Sequence, residues 1–342
     1  MANTKEIQNR ISSIQDTMKI TRAMYMMSSM KLRKAKQKLE DTLPFFESTQ
    51  RAIAETMAHF PDIRSIYFDN RIKDEQETVK KKGYIVMTGD KGMAGAYNHN
   101  AIKEASALID DPKSEDYTMF VVGEVGRAFF IGQGYHVDEN FRFSANNPSI
   151  HRARVITEYI IDLYLKEELD EVYIIYTKML NSIAEETNVE RILPFKPHKS
   201  MQAEFEMKLA GEKKREDEAH HIETLNSYEE EAMETGDDWY EFYPSPRRVL
   251  ERLVYNFVTG FTYGALVECS ASEENARMLA MQSATDNAEA ILHELSIEYN
   301  RVRQAAITQE ITEVIGGAKA LKKKKENLQG SFSGLIMRKE MR

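Results

Sequence analysis

Residues 278–321 contain no proline, and no glycine before Gly316, so this stretch predicts one uninterrupted helix. The first 43 residues are free of both as well. Two long helices at opposite ends of a sequence, with a compact segment between them, bury their apolar stripes most simply by lying antiparallel. The expectation is a two-helix shaft that carries a domain.

Stepping from Ile7 by four and three residues gives Ile7, Ile11, Ile14, Met18, Thr21, Tyr25, Ser28, Leu32, Ala35 and Leu39, a coiled-coil seam. The register reaches Phe46 and Ile53. Pro44 either kinks the helix or restarts it, because proline has no amide donor and crowds the preceding turn; the apolar register survives both outcomes. The matching series in the second arm is Met278, Met281, Thr285, Ala288, Leu292, Leu295, Tyr299, Val302, Ala306 and Gln309. Small or polar members such as Thr21, Ser28, Thr285 and Ala288 make the rod thin. At about 1.5 Å per residue, an arm from about Arg248 to Lys322 outruns the first, so the last helix should project beyond it.

Between the arms the periodicity changes. Tyr84–Thr88, Tyr117–Val122 and Val172–Thr177 are short apolar, β-rich runs of the kind covered on both faces, and they read as parallel strands. Val189–Phe195 is a candidate fourth strand. Helical stretches near Asn98–Ile109, Glu124–Ile131 and Ser149–Leu169 alternate with the strands. The expected fold class is therefore an α+β composite: an antiparallel two-helix coiled coil plus a central, Rossmann-like α/β domain with a mostly parallel sheet. The boundaries are residues 1–60 for the first helix, 61–195 for the sheet domain, 196–246 for an acidic insertion, 247–321 for the second helix and 322–342 for a basic tail. Within the insertion, Trp239, Tyr240, Phe242 and Tyr243 are expected to dock the segment back on the body.

The net charge of −9 is unevenly placed. Residues 1–60 carry ten basic and six acidic side chains, whereas residues 204–241 carry four basic and fourteen acidic ones. Basic arms suit an anionic partner surface, but no base-reading motif is present, so a nucleic-acid partner is not expected. The single cysteine, Cys269, excludes an internal disulfide and fits a reducing compartment. The polar amino terminus carries no secretory or organellar signature. The most apolar stretch, Val254–Val267, is too short for a membrane span and is interrupted by Asn256, Thr259, Gly260 and Gly264.

Two motifs invite a chemical reading. GDKGMAGAYN, residues 89–98, follows the first strand where phosphates are often cradled, but Gly89, Gly92 and Gly95 match neither the Rossmann nor the Walker spacing. A tight structural turn accounts for it better, and no cofactor is expected. His220 and His221, with Glu216 and Glu223 nearby, have no second cluster to complete a metal site. Met26, Met27 and Met30 stand beside Lys31, Arg33, Lys34, Lys36 and Lys38; they read as seam and core, or else as an apolar bearing with a basic collar.

KEIQNRISSIQDTMKITRAMYMMSSMKLRKAK at the start and ARMLAMQSATDNAEAIL with YNRVRQAAITQEITEVIGGAKAL at the end resemble the gamma subunits of bacterial F-type ATP synthases. GDKGMAGAYN is similar to the loop after the first strand in that family. The resemblance implies a central rotor shaft with no catalytic, cofactor or metal site of its own, standing in a ring of alpha and beta subunits. The epsilon subunit and the membrane c-ring would be its other partners. It would sit peripherally at the cytoplasmic face of the plasma membrane, without inserting. Carried over position by position, the resemblance assigns Arg277, Gln304, Thr308 and Glu310 to the beta subunit's upper contact, and Met24, Lys31 and Arg33 to its acidic lever. A non-catalytic coiled-coil adaptor is the alternative function. The family usually ends near GGAKAL, so the lysine-rich tail and the acidic insertion are departures from it.

Overall fold

The computed structural model describes residues 4–60, 63–68, 80–109, 116–182, 184–195 and 242–340. The acidic segment 196–241, with His220, His221, Trp239 and Tyr240, lies outside them. The chain divides into two compact units, one built from Met24–Met281 and the other from Met1–Ala23 with Gln282–Arg342.

In the Met24–Met281 unit, strand β1 (Lys82–Met87) lies between β2 (Tyr117–Val122) and β3 (Glu171–Met179), parallel to both. The fourth strand, β4 (Glu185–Leu193), starts earlier than the expected Val189 and runs antiparallel to β3. A short turn explains the reversal: the Leu180 and Asn181 amides both reach the Ala184 carbonyl, and Asn181 Oδ1 accepts the Ala184 N–H at 2.7 Å. A parallel partner would need a crossover of a dozen or more residues.

Alternation along the strands produces two cores. Ile85 and Met87 of β1, Phe120 and Val122 of β2, and Val172, Ile174 and Tyr176 of β3 face one side. That side is covered by helix α4 (Ile150–Leu165) through Ile156, Ile160 and Tyr164, and by the two long helices. Tyr84, Val86, Met119, Val121 and Ile175 face the other side. Helices α2 (Tyr97–Ala107) and α3 (Glu124–Gly132) cover it through Ile102, Ala105 and Phe130. Burial on both faces is why the strands read as continuous apolar runs.

Helix α1 (Thr4–His59) passes through Pro44 without interruption. Two residues later Phe46 is buried, its ring 4.8 Å from Phe257 and 6.4 Å from Phe261. This packing offsets the roughly 3 kcal/mol that an interior proline costs. The other long helix, α5, runs Pro246–Glu340. Pro246 is thus its first residue rather than the end of an insertion, a position that proline tolerates because the first amides lack helical partners. Phe242 does dock, edge-on to Phe60 at 5.2 Å, but Tyr243 is 92% exposed. Within this unit the seam is antiparallel: Ala35 meets Val267 and Ala271, and Lys31 reaches Glu274, while Phe46 meets Phe257.

In the other unit, Ile7, Thr21, Thr285, Ala288 and Leu295 are buried, as the heptad count requires. The Thr21 and Thr285 hydroxyls bond each other at 2.8 Å, and Arg22 pairs with Glu289. The seam ends at Val302; Ala306 and Gln309, expected to continue it, are exposed. Counting back from the Thr21–Thr285 pair, Thr4, the first described residue of α1, comes level with about residue 302 of α5. Nor does α5 stop near Leu321, where a separate tail was expected: it continues through Gly316, Gly317 and the lysine run to Glu340.

Substituting either threonine alone with valine is expected to cost about 1 kcal/mol, because the buried hydroxyl–hydroxyl bond across the seam is lost. The Thr21→Val, Thr285→Val double change should recover part of that loss in urea titrations. Purely additive single effects would show that the pair is not coupled.

Candidate functional site

The polar centre of the Met24–Met281 unit lies where α5 crosses the sheet. Two small residues about one turn apart, Cys269 and Ser272, meet β3 at Thr177. Cys269 Sγ accepts the Thr177 N–H at 3.3 Å, and Ser272 Oγ donates to the Thr177 carbonyl at 3.1 Å. Asn275 Nδ2 reaches the Ser182 carbonyl at 3.2 Å. Burial pushes the Cys269 thiol up to about 12, so the sulfur behaves as a packed group rather than a nucleophile.

One turn further, Arg277 lies between two carboxylates of its own helix. It pairs with Glu273, and with Glu274 at 2.9 Å. The same Glu274 oxygen accepts Lys31 Nζ of α1 at 2.8 Å. Arg277 is 8% exposed, so it is a buried network residue. Burial raises the Glu273 pKa, the nearby charges of Glu274 and Asp90 add to the rise, and Arg277 only partly offsets it. Burial also opposes ionisation of Glu274, but Lys31, the Ser28 hydroxyl and Arg277 together outweigh it and hold that carboxyl below its ordinary value.

The turn after β1 meets this network. Asp90 accepts hydrogen bonds from Ser144 Oγ, from the Ala145 and Asn146 amides and from Asn146 Nδ2, at 2.5–3.2 Å. Asn98 Oδ1 accepts the Gly89 N–H at 2.7 Å. The carboxyl end of a central strand with neighbours on either side is where open α/β sheets bind ligands. Here that place holds the Glu273 carboxylate, whose Oε1 would lie 2.8 Å from a Cβ on Gly89. A carboxylate against the turn, with Asp90 beside it, repels phosphate, and the turn's own polar groups bond to one another. Among the described residues no group of three or more His, Cys, Asp or Glu is placed to hold a metal ion, and no helix is long and apolar enough to cross a membrane.

The remaining assigned residues lie on exposed faces. In the Met24–Met281 unit, Met24 is half-buried, while Met26, Met27 and Met30 are 63%, 50% and 58% exposed beside exposed Lys31, Arg33 and Lys34. The bearing-and-collar reading fits them, and the seam-and-core reading does not. In the other unit, Gln304, Thr308 and Glu310 are exposed on α5, with Thr308 Oγ1 donating to the Gln304 carbonyl at 2.8 Å. Ile307, Ile311, Val314 and Leu321, a single helical face, are uncovered as well. Sequence reasoning assigned roles to Arg277 and Lys31 but missed the carboxylates that hold them. The Glu273–Arg277 spacing of four and the Glu274–Arg277 spacing of three carried that signal.

A family model described as ATP synthase matches residues 3–321. The chain is 42% identical to the ATP synthase gamma chain of Ruminiclostridium cellulolyticum, covering 93% of this chain and 99% of that one. It is 38% identical to the sodium ion specific ATP synthase gamma chain of Acetobacterium woodii, covering 93% of this chain and 99% of its relative. Among solved structures, a central stalk and c-ring chain of the Tetrahymena thermophila mitochondrial ATP synthase aligns with a TM-score of 0.50 at 19% identity. That alignment covers 78% of this chain and 99% of the other, a likeness of fold. The length of the match, the level of identity and the helix–sheet–helix order agree: this chain belongs to the ATP synthase gamma chain family.

Proposed function

We propose that this chain is the central rotor shaft of an F-type ATP synthase, turned by ion flow and presenting different faces in sequence to three catalytic beta subunits. The observation that carries this reading is the uncovered apolar face Ile307, Ile311, Val314 and Leu321, on α5 beyond the end of its seam with α1. Such a face on a projecting helix suits enclosure by a ring of partner subunits, and the alpha and beta subunits are the partners. A turning face shifts a catalytic site only by binding one of its conformations better than another. Met24, Lys31 and Arg33 are assigned to the acidic lever of the beta subunit, and Arg277, Gln304, Thr308 and Glu310 to its upper contact. The sheet unit faces the epsilon subunit and the c-ring, peripherally at the cytoplasmic side of the plasma membrane. The ion is handled by the membrane sector, and bond chemistry by the beta subunits.

The test is to co-express the chain with its alpha and beta subunits and to follow ATP hydrolysis together with single-particle rotation of a probe fixed to the sheet unit. Rotation that needs this chain is the expected result; an alpha–beta assembly that excludes it would sink the reading. Deleting Lys322–Arg342 should leave assembly intact, because the family match ends at residue 321. Failure of the truncated chain to co-purify would refute that.

A further inference from the structure

Arg277 has its direction set from outside its own helix. Two carboxylates take the guanidinium, Glu273 through Nη2 and Glu274 through Nη1. Glu274 is tied to α1 by Lys31, and Glu273 is lodged against the turn after β1. It fits there because residue 89 has no side chain: a Cβ on Gly89 would stand 2.8 Å from Glu273 Oε1 and 2.9 Å from its carboxyl carbon, closer than real Cβ contacts come. Gly89 has no left-handed backbone conformation that would call for glycine, so the approach of the carboxylate is the reason for one there. Its amide is held in turn by Asn98 at 2.7 Å. The end of the central strand, Glu273 and Arg277 thus form one packed sequence from the sheet to the helix face.

We propose that Glu273 is a positioning residue for coupling, one that fixes the Arg277 guanidinium relative to the end of the central strand, with Gly89 as the seat that admits its carboxylate. The inference rests on the central-shaft reading. A buried ion pair that merely held the fold together would need no such seat on the sheet, and a hydrophobic isostere would serve as well or better. Both amino groups of the Arg277 fork are taken by these carboxylates, so it acts on a partner through what it holds in place, the pair of Glu274 with the exposed Lys31.

The experiment uses the complete, membrane-embedded complex and reads ions pumped per ATP hydrolysed for Glu273→Gln, Gly89→Ala and Ser272→Ala. Glu273→Gln removes the charge that holds the guanidinium, and Gly89→Ala pushes the carboxylate from its seat. Ser272→Ala deletes a neighbouring buried bond of the same helix, 3.1 Å from the Thr177 carbonyl, without touching Arg277. The first two should lower the pumping ratio by about fivefold, the lower end of a typical coupling between sites, with hydrolysis retained. The third should lower the melting temperature and leave the ratio alone. A wild-type ratio in Glu273→Gln overturns the proposal, as does an equal loss in Ser272→Ala, which would point to general loosening. If Glu273→Gln fails to assemble, Gly89→Ala decides alone. A wild-type complex that hydrolyses ATP without pumping would instead count against the central-shaft reading.

Discussion

Gly123→Ala is expected to destabilise the sheet unit by about 3 kcal/mol or more, the sum of a strained backbone and an overpacked site. Gly123 follows β2 with φ +92° and ψ 141°, a conformation that side chains rarely adopt. A Cβ there would lie 2.2 Å from the Thr88 carbonyl oxygen and 2.9 Å from that of Gly89. Both are backbone atoms and cannot swing aside. Relieving the clash would part the ends of β1 and β2, where the Thr88 N–H reaches the Val122 carbonyl at 2.9 Å and Thr88 Oγ1 accepts the Gly126 amide at 3.1 Å. Urea titration of the purified chain should show a lower midpoint together with poor soluble yield. A shift of less than about 1 kcal/mol would mean that the close approach is not rigid.

Arg277→Met should be the second large effect, a loss of about 3–5 kcal/mol, because it takes the shared guanidinium from two buried carboxylates, leaving Glu274 to Lys31 and the Ser28 hydroxyl. The double change Arg277→Met, Glu273→Gln should recover part of the loss, since one of the stranded charges is gone. The pH dependence separates this from a packing defect. In the unaltered chain the depressed Glu274 contributes stability that is present above the ordinary carboxylate value and lost as the pH falls through its lowered one. Without Arg277 both carboxyls are pushed upward, and acids with raised folded pKa values destabilise least when protonated. The deficit of Arg277→Met against the unaltered chain should therefore shrink as the pH is lowered. A deficit constant with pH would show that lost packing, not stranded charge, is the cause.

Much of this protein can be read from local spacing. The heptad series from Ile7 to Ile53 and from Met281 to Val302 coincides with the buried and half-buried positions, because side-chain direction on a helix repeats every 3.6 residues wherever the helix lies. The three apolar strand runs are legible for the same reason, since burial on both sheet faces removes polar residues from the strands. Local spacing is silent on where a seam stops. Ala306 and Gln309 satisfy the repeat as well as Val302 does, yet both are exposed while Val302 is half-buried. The direction of β4 likewise depended on the Leu180–Ala184 turn.

Among the assigned site residues, Gln304, Thr308, Glu310 and Arg33 are exposed, whereas Arg277 is not, and Lys31 is tied to Glu274. The sequence by itself determined the two helical arms, their register and the apolar sheet between them, because each follows from a repeat along the chain. The tertiary structure decided that Glu273 sits against Gly89, about 180 positions away, and that Arg277 lies buried between two carboxylates. The physical reason is that spacing on one helix can pair Arg277 with its carboxylates, but their desolvation and the approach to Gly89 depend on what the fold brings within a few ångströms from distant parts of the chain.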